Sequence, residues 1–316
     1  MHYAASAIAA IVPMMIYLVI IWRFDIYDRE PFGLVLLNFL WGALGAIFFA
    51  IVGSALISSS LSLIISDQNY LNRVETIFVA PYVEEITKGL FLFITFTNKK
   101  FDNITDGLVY GGAIGLGFAM TENFLYFITF GNTISQWITI VIIRTLFSGV
   151  MHCVATATFG AFLGYSKFRR KKGKIFFPLA GLIIAMFIHF VWNLSVSVGS
   201  TTFAGFIFMF FTILIFIITF IFAVSGERKI IFRELFDEYK SGLIPFEHLT
   251  ILNSSKRKRT GWVDESIRKL YIRAATTLAF RKMELKNSSG SSKKFYEKDI
   301  EYYRQFIFNM LYIPKS

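Results

Sequence analysis

A single cysteine, Cys153, excludes a disulfide framework within the chain, and its place inside an apolar run reads as a packed thiol. Charge is scarce: Asp, Glu, Lys and Arg make up 17% of the 316 residues. The H-E-x-x-H signature of soluble zinc proteases is absent. No internal repeat is evident, so nothing points to an inverted-repeat transporter. What is abundant is apolar: hydrophobic residues reach 55%, phenylalanine alone numbers 37, and the mean hydropathy is +0.58. Several apolar runs approach about 20 residues, the length that crosses a ~30 Å hydrocarbon core. These features predict an all-α polytopic membrane protein with about seven transmembrane helices and a small helical C-terminal region.

Candidate spans fall at residues 5–22, 34–57, 75–96, 107–130, 137–164, 178–198 and 203–224. The first, "AASAIAAIVPMMIYLVIIW", lacks a basic n-region and exceeds a signal peptide's apolar length, so it is expected to be a retained span. Connections alternate in basic content. The first holds Arg23 and Arg29, the third Lys99 and Lys100, and the fifth, "SKFRRKKGK", runs from Lys167 to Lys174. The intervening connections carry only Arg73. The positive-inside rule then predicts a multi-pass protein of the cell membrane with its N-terminus outside and its C-terminus cytoplasmic.

Character changes after Ser225, which divides the chain into a transmembrane domain at 1–225 and a basic helical domain at 226–316. Most of the net charge of +11 falls in the second. There "FRELFDEYKSG" reads as a helix closed by Gly242, with Pro245 suited to the first turn of the next. "ESIRKLYIRAATTLAFRKMEL" reads as a longer amphipathic helix, "KNSSGSSKK" as a flexible linker and "YEKDIEYYRQFIFNMLY" as a last helix. The run "KRKR" at 256–259 is of a kind seen in nucleic-acid patches. Beside a membrane its simpler role is attraction to the anionic inner leaflet, and no nucleic acid is expected as a partner.

Against this background the ionisable groups inside the spans stand out. The third span has Glu84, Glu85 and Lys88 in "APYVEEITKGL". The fourth has Glu122 and Asn123, the fifth Arg144 and His152, and the sixth His189 with Asn193 one turn on. Each charge at bilayer depth costs about 2.5–3.5 kcal/mol on insertion scales. At 1.5 Å per residue, Glu84 and Glu85 lie roughly 13 Å from the outer end of their span, and Glu122 about 12 Å. His152 and His189 fall roughly 10 and 12 Å below the outer face by the same count. Spans running in alternating directions thus bring their polar groups to one level. Glycines at 107, 111 and 115 form a small-residue face that lets helices approach closely.

Two carboxylates and two imidazoles around an outer-half cavity suit hydrolysis. A desolvated glutamate beside a second carboxylate can take a proton from water. A histidine can orient that water or protonate the leaving amine, and an asparagine amide can stabilise the oxyanion. The same set can instead hold a divalent metal such as zinc through Glu122, His152 and His189. Each residue also has a structural role open to it. Lys88 can simply neutralise Glu84, Arg144 can snorkel or pair a glutamate, and Asn123 can bond between helices. Asp106, after Thr105, reads as an N-cap. The rival function is a proton or cation transporter using the same Glu/His cluster.

Four stretches in order, "PYVEEITKG", "GFAMTENFLY", "MHCVATATFG" and "HFVWN", resemble the motifs of the PrsW family of intramembrane proteases. That family is a branch of the CAAX-protease and bacteriocin-processing superfamily. Its Glu-Glu-x-x-Lys pattern matches Glu84, Glu85 and Lys88. Its Phe-x-x-x-Glu matches Phe118 and Glu122. Its two later histidines match His152 and His189, the last followed by Trp192 and Asn193. "YDREPFG" after the first span is similar to the family's acidic-proline connection. The resemblance spans residues 20 to 200. It implies proteolysis of membrane-embedded substrates such as single-pass anti-sigma factors, by glutamate-activated water or by a metal. Prenyl proteases of the superfamily carry a histidine where this chain has Glu122, which argues against prenylated substrates. The expected machinery is therefore Glu84 or Glu85 as base, with Glu122, His152, His189 and Asn193 completing the site. Lys88, Arg144 and Asn123 support it.

Overall fold

The computed structural model describes residues 3–98, 101–167, 169, 171–288 and 290–313. Lys99, Lys100 and Arg170, counted above among the basic connections, lie outside these. The described residues form helices and no strand. Packing divides them into two units: one of residues 1–25 and 30–220, the other of 26–29 and 221–316.

In the first unit α1 spans Tyr3–Phe24 and α2 Phe32–Leu61. Helix α3 covers 68–96, α4 Ile104–Phe130 and α5 Ile134–Ser166. Helix α6 covers Lys171–Ser197 and α7 Thr202–Lys240. Six of these helices are long and apolar enough to cross a membrane. The exception is α3, expected above as a seventh span, because Glu84, Glu85 and Lys88 break its apolar character.

Local sequence explains the helix starts. Asp67 caps α3 by accepting from the Asn69 and Tyr70 amides. Asn103 and Asp106 form a capping box on α4, and Thr133 and Gln136 one on α5. Asp106 is thus the third residue of the helix, accepting from the Asn103 amide, and Asn103 is the N-cap in its place. Helices α2, α3 and α5 each contain a wide π-turn, at Trp41–Ala46, Glu75–Val79 and Arg144–Ser148. In α3 the wide turn is followed by Pro81. A proline lacks the amide hydrogen and crowds the carbonyl four residues back, and widening the turn relieves both.

Helix α4 is buried on nearly every side, as an apolar all-round helix should be. Its glycines allow this. A Cβ on Gly107 would lie 1.9 Å from the Gly160 carbonyl oxygen, on Gly111 2.4 Å from that of Thr156, and on Gly115 2.2 Å from that of His152. On another face Gly117 meets the Phe39 carbonyl of α2 at 1.9 Å. Helices α2 and α5 therefore touch α4 backbone to backbone.

In the second unit, α7 does not stop at 224 as its apolar run suggests. It continues unbroken through the charged stretch to Lys240. Gly242, at φ +80°, closes it, with the Leu243 amide returning to the Glu238 carbonyl at 2.9 Å. Pro245 stands as N-cap, one position before α8 at Phe246–Leu252. Helix α9 is Glu265–Lys286 and α10 is Gly290–Tyr312. The expected linker is thus short, since helix resumes at Gly290. Leu235, Leu249, Tyr271, Leu278, Phe280 and Ile307 form the core. Within it Glu238 accepts from Lys282 at 2.7 Å and from Arg304 at 2.8 and 3.0 Å. Burial opposes its charge, and these bonds offset that cost. Arg257 of the "KRKR" run is buried in this unit. It donates to the carbonyls of Ile26 and Tyr27 at 2.5 and 2.8 Å and lies over the Tyr27 ring at 4.6 Å. Only Lys256, Lys258 and Arg259 of that run are exposed.

Candidate active site

Glu84, Glu85 and Lys88 sit on α3 just past Pro81, where the preceding wide turn re-aims the helix. Gly115 lets α5 approach α4 so closely that His152 is set beside Phe118, with ring centroids 5.3 Å apart. Trp192 of α6 is buried and donates to Ser148 of α5 at 3.2 Å. That bond helps place His189 against His152, their rings perpendicular at 4.8 Å.

The result is one connected network from four helices. Lys88, 0% exposed, donates to Glu85 Oε1 at 2.8 Å and lies 2.8 Å from His152 Nδ1. Its approach to Glu84, the partner that the four-residue spacing suggests, is longer at 3.5 Å. Its ammonium also covers the Phe118 ring at 3.9 Å. Glu85 is tied on all sides, by Lys88, by His189 Nδ1 at 3.0 Å and by the Thr156 hydroxyl at 3.1 Å. Glu122 meets His152 Nε2 at 2.7 Å and Arg144 at 2.7 Å. Arg144 also donates to Asn123 Oδ1 at 2.9 Å and stacks over Tyr126 at 3.7 Å. Buried opposite charges in such contact offset the desolvation each would suffer alone.

Glu84 is the loosest carboxylate. Its Oε2 lies 3.5 Å from Lys88 Nζ, 3.8 Å from His189 Nε2 and 4.0 Å from His152 Nδ1, all longer than the contacts of Glu85 and Glu122. Those three residues each bring one donor atom within 4.8 Å of the others. Two imidazoles and a carboxylate are a donor set that suits zinc. The outer side of each ring fits as well, because His152 Nε2 faces Glu122 and His189 Nδ1 faces Glu85. A ligating histidine ordinarily has a carboxylate on its far nitrogen. The carboxylate of the trio is Glu84, where the sequence suggested Glu122, which is engaged instead by Arg144. The Lys88 ammonium lies on two of the same donor atoms, 2.8 Å from His152 Nδ1 and 3.5 Å from Glu84 Oε2, so it would have to withdraw for a metal ion to take its place.

Asn193 departs from expectation. Its amide donates to the Thr76 carbonyl at 2.9 Å, in the wide turn of α3, and not to His189 or a point beside the carboxylates. Thr156 and Tyr126 were not singled out from sequence. Thr156 lies four residues after His152 and Tyr126 four after Glu122, so helical spacing alone carried that signal.

The chain is similar to known proteins over most of its first unit. Residues 30–223 match the model of a family described as PrsW family intramembrane metalloprotease. Protease PrsW of Geobacillus kaustophilus is 27% identical over 186 residues, 58% of this chain and 76% of the relative. Protease PrsW of Oceanobacillus iheyensis is 30% identical over 166 residues, 52% and 70% of the two chains. That of Bacillus subtilis is 27% identical over 186 residues, 57% and 78%. No solved structure matches significantly. The matched region contains every member of the network described above, and the chain belongs to the PrsW family of intramembrane metalloproteases.

Proposed function

We propose that this membrane protease hydrolyses a peptide bond of a single-pass membrane protein near the outer face of the bilayer. An anti-sigma factor is the substrate class that the family resemblance favours. The observation that carries the reading is the convergence of Glu84, Glu85, Glu122, His152 and His189 from four helices on one buried network. Alternating basic connections support an N-terminus outside and a C-terminus in the cytoplasm. The exposed lysines and Arg259 of the "KRKR" run would then face anionic lipid.

A divalent cation held by Glu84, His152 and His189 would supply Lewis-acid polarisation and a water of lowered pKa. The chain's own groups divide the remaining work. Glu84, through the carboxylate oxygen that would not hold the cation, takes the proton of the attacking water and passes it to the leaving amine. Glu85 and Glu122 fix the two imidazoles through Nδ1 of His189 and Nε2 of His152. Arg144 supplies positive charge on the Glu122 side, where an oxyanion gains from it. Asn193 holds α6 to the wide turn of α3, keeping His189 in register with Glu84.

Reconstitution with candidate single-pass substrates tests the proposal. Wild type should release a cut product, and Glu84→Gln, Glu85→Gln and His189→Ala should not. Undiminished cleavage by all three variants would sink the assignment.

A further inference from the structure

A second site lies well away from the glutamates, at the opposite end of the seam between α3 and α6. Phe93 and Phe96 of α3, Leu163 of α5, and Ile175 and Leu179 of α6 line a groove of about 280 Å³, with Lys174 beside them. Phe93, Ile175 and Leu179 are exposed, so the groove is open along the lipid-facing wall. Its volume falls just under the ~300–1,000 Å³ of pockets that engulf a whole ligand, which suits one strand of a larger amphiphile.

The rim is polar and of one sign. Lys167 donates to the carbonyls of Phe96 and Asn98 at 3.0 and 2.9 Å, and to that of Phe101. The end of α3 and the beginning of the basic connection therefore lie at one level. Arg169 lies over the Tyr165 ring at 4.1 Å, and Tyr165 packs edge-on against Phe177 at 4.7 Å. Aromatic rings beside basic groups mark a membrane–water boundary. Lys172 and Lys174 are exposed and, among the described residues, form no ion pair. An apolar trough thus opens under unneutralised ammonium groups.

We propose that this groove binds an anionic phospholipid, its acyl chain along Phe93, Leu163 and Leu179 and its phosphate at Lys174. Charge complementarity selects the occupant: a zwitterionic lipid fills the trough equally well but gains less at the rim. Each basic group near an anionic surface is worth about fivefold in affinity. The proposal stands apart from the protease reading, since it requires only that the first unit be in a membrane.

The full-length protein in mild detergent is titrated with phosphatidylglycerol, phosphatidylcholine or glycerol 3-phosphate, read by native mass spectrometry and by thermal unfolding. Phosphatidylglycerol should be retained and raise the unfolding temperature more than phosphatidylcholine. Lys174→Gln should weaken its retention by about fivefold, leaving phosphatidylcholine unchanged. Leu179→Trp, or Ile175→Trp should the first not fold, fills the trough and should displace both lipids. Equal retention of the two lipids overturns the proposal. So does phosphatidylglycerol binding that survives both the lysine and the tryptophan changes. Glycerol 3-phosphate matching the lipid's effect would also overturn it, by showing a phosphate site without an acyl groove.

Discussion

Replacing Gly115 by alanine isolates the contact on which the site's geometry rests. The added Cβ would lie 2.2 Å from the His152 carbonyl oxygen, 2.6 Å from its carbon and 2.8 Å from Cys153 Cα. All three are backbone atoms, so no side chain can swing aside. Restoring ordinary contact at 3.4 Å requires α4 and α5 to part by 1.2 Å at this level. His152 moves with its backbone, away from Lys88 and Glu122, whose contacts are 2.8 and 2.7 Å. Overpacking of this kind costs about 1–3 kcal/mol of stability, and a displacement of ~1 Å at reacting groups costs about 10²-fold in rate. Gly112→Ala is the internal control, because its Cβ meets only side-chain atoms and none nearer than the Cys153 Sγ at 3.3 Å. Thermal unfolding in detergent and the cleavage rate of a single-pass reporter give the two readouts. Gly115→Ala should lose activity far beyond its loss of stability, and Gly112→Ala should change neither much. Activity of Gly115→Ala within about twofold of wild type would refute the claim that this helix contact positions His152.

Lys88→Met should be among the most destabilising single changes, by about 3–5 kcal/mol, since it strands Glu85 as a buried charge. Adding Glu85→Gln should recover much of the unfolding temperature without recovering cleavage. In the C-terminal unit, burial lowers the His248 pKa from its ordinary 6.5, so the folded unit holds the neutral ring. The unfolded chain then binds more protons below pH 6.5. Stability contributed by this residue is full above that pH and is lost as pH falls towards the lowered folded value. Chemical unfolding of the full chain at a series of pH values should show this, with a shallower slope for His248→Gln. Arg257→Gln removes the donor that binds the Ile26 and Tyr27 carbonyls, and limited trypsin digestion should then cut faster after Arg29.

Cost made the site legible: glutamates, a lysine and histidines inside apolar runs are too unfavourable to be scattered. A rise of 1.5 Å per residue was enough to expect these groups at one level, and the structure brings them together from four helices. The glycine spacing of α4 likewise announced a close helix contact, though not that α5 would be the partner. What spacing missed are partners set by backbone distortion. Asn193 bonds Thr76 because the wide turn before Pro81 offers a carbonyl there. Lys88 lies nearer to Glu85 than to Glu84, with its ammonium also at His152 Nδ1 and over the Phe118 ring, contacts that spacing along one helix does not show. Helix α7 outran its apolar segment because backbone hydrogen bonds continue regardless of side-chain polarity, and nothing in "GERK" stops them. Arg257 looked like a surface charge because its burial depends on residues 26 and 27, far away in sequence.

The most direct test compares the membrane-protein termini of cells carrying the wild-type chain with those carrying Glu84→Gln, by mass spectrometry of newly formed ends. One or a few single-pass proteins should show a new terminus near the outer membrane face only with wild type. Identical sets of termini in the two membranes, with both proteins present in equal amount, would contradict the assignment of the glutamate–histidine network to peptide hydrolysis.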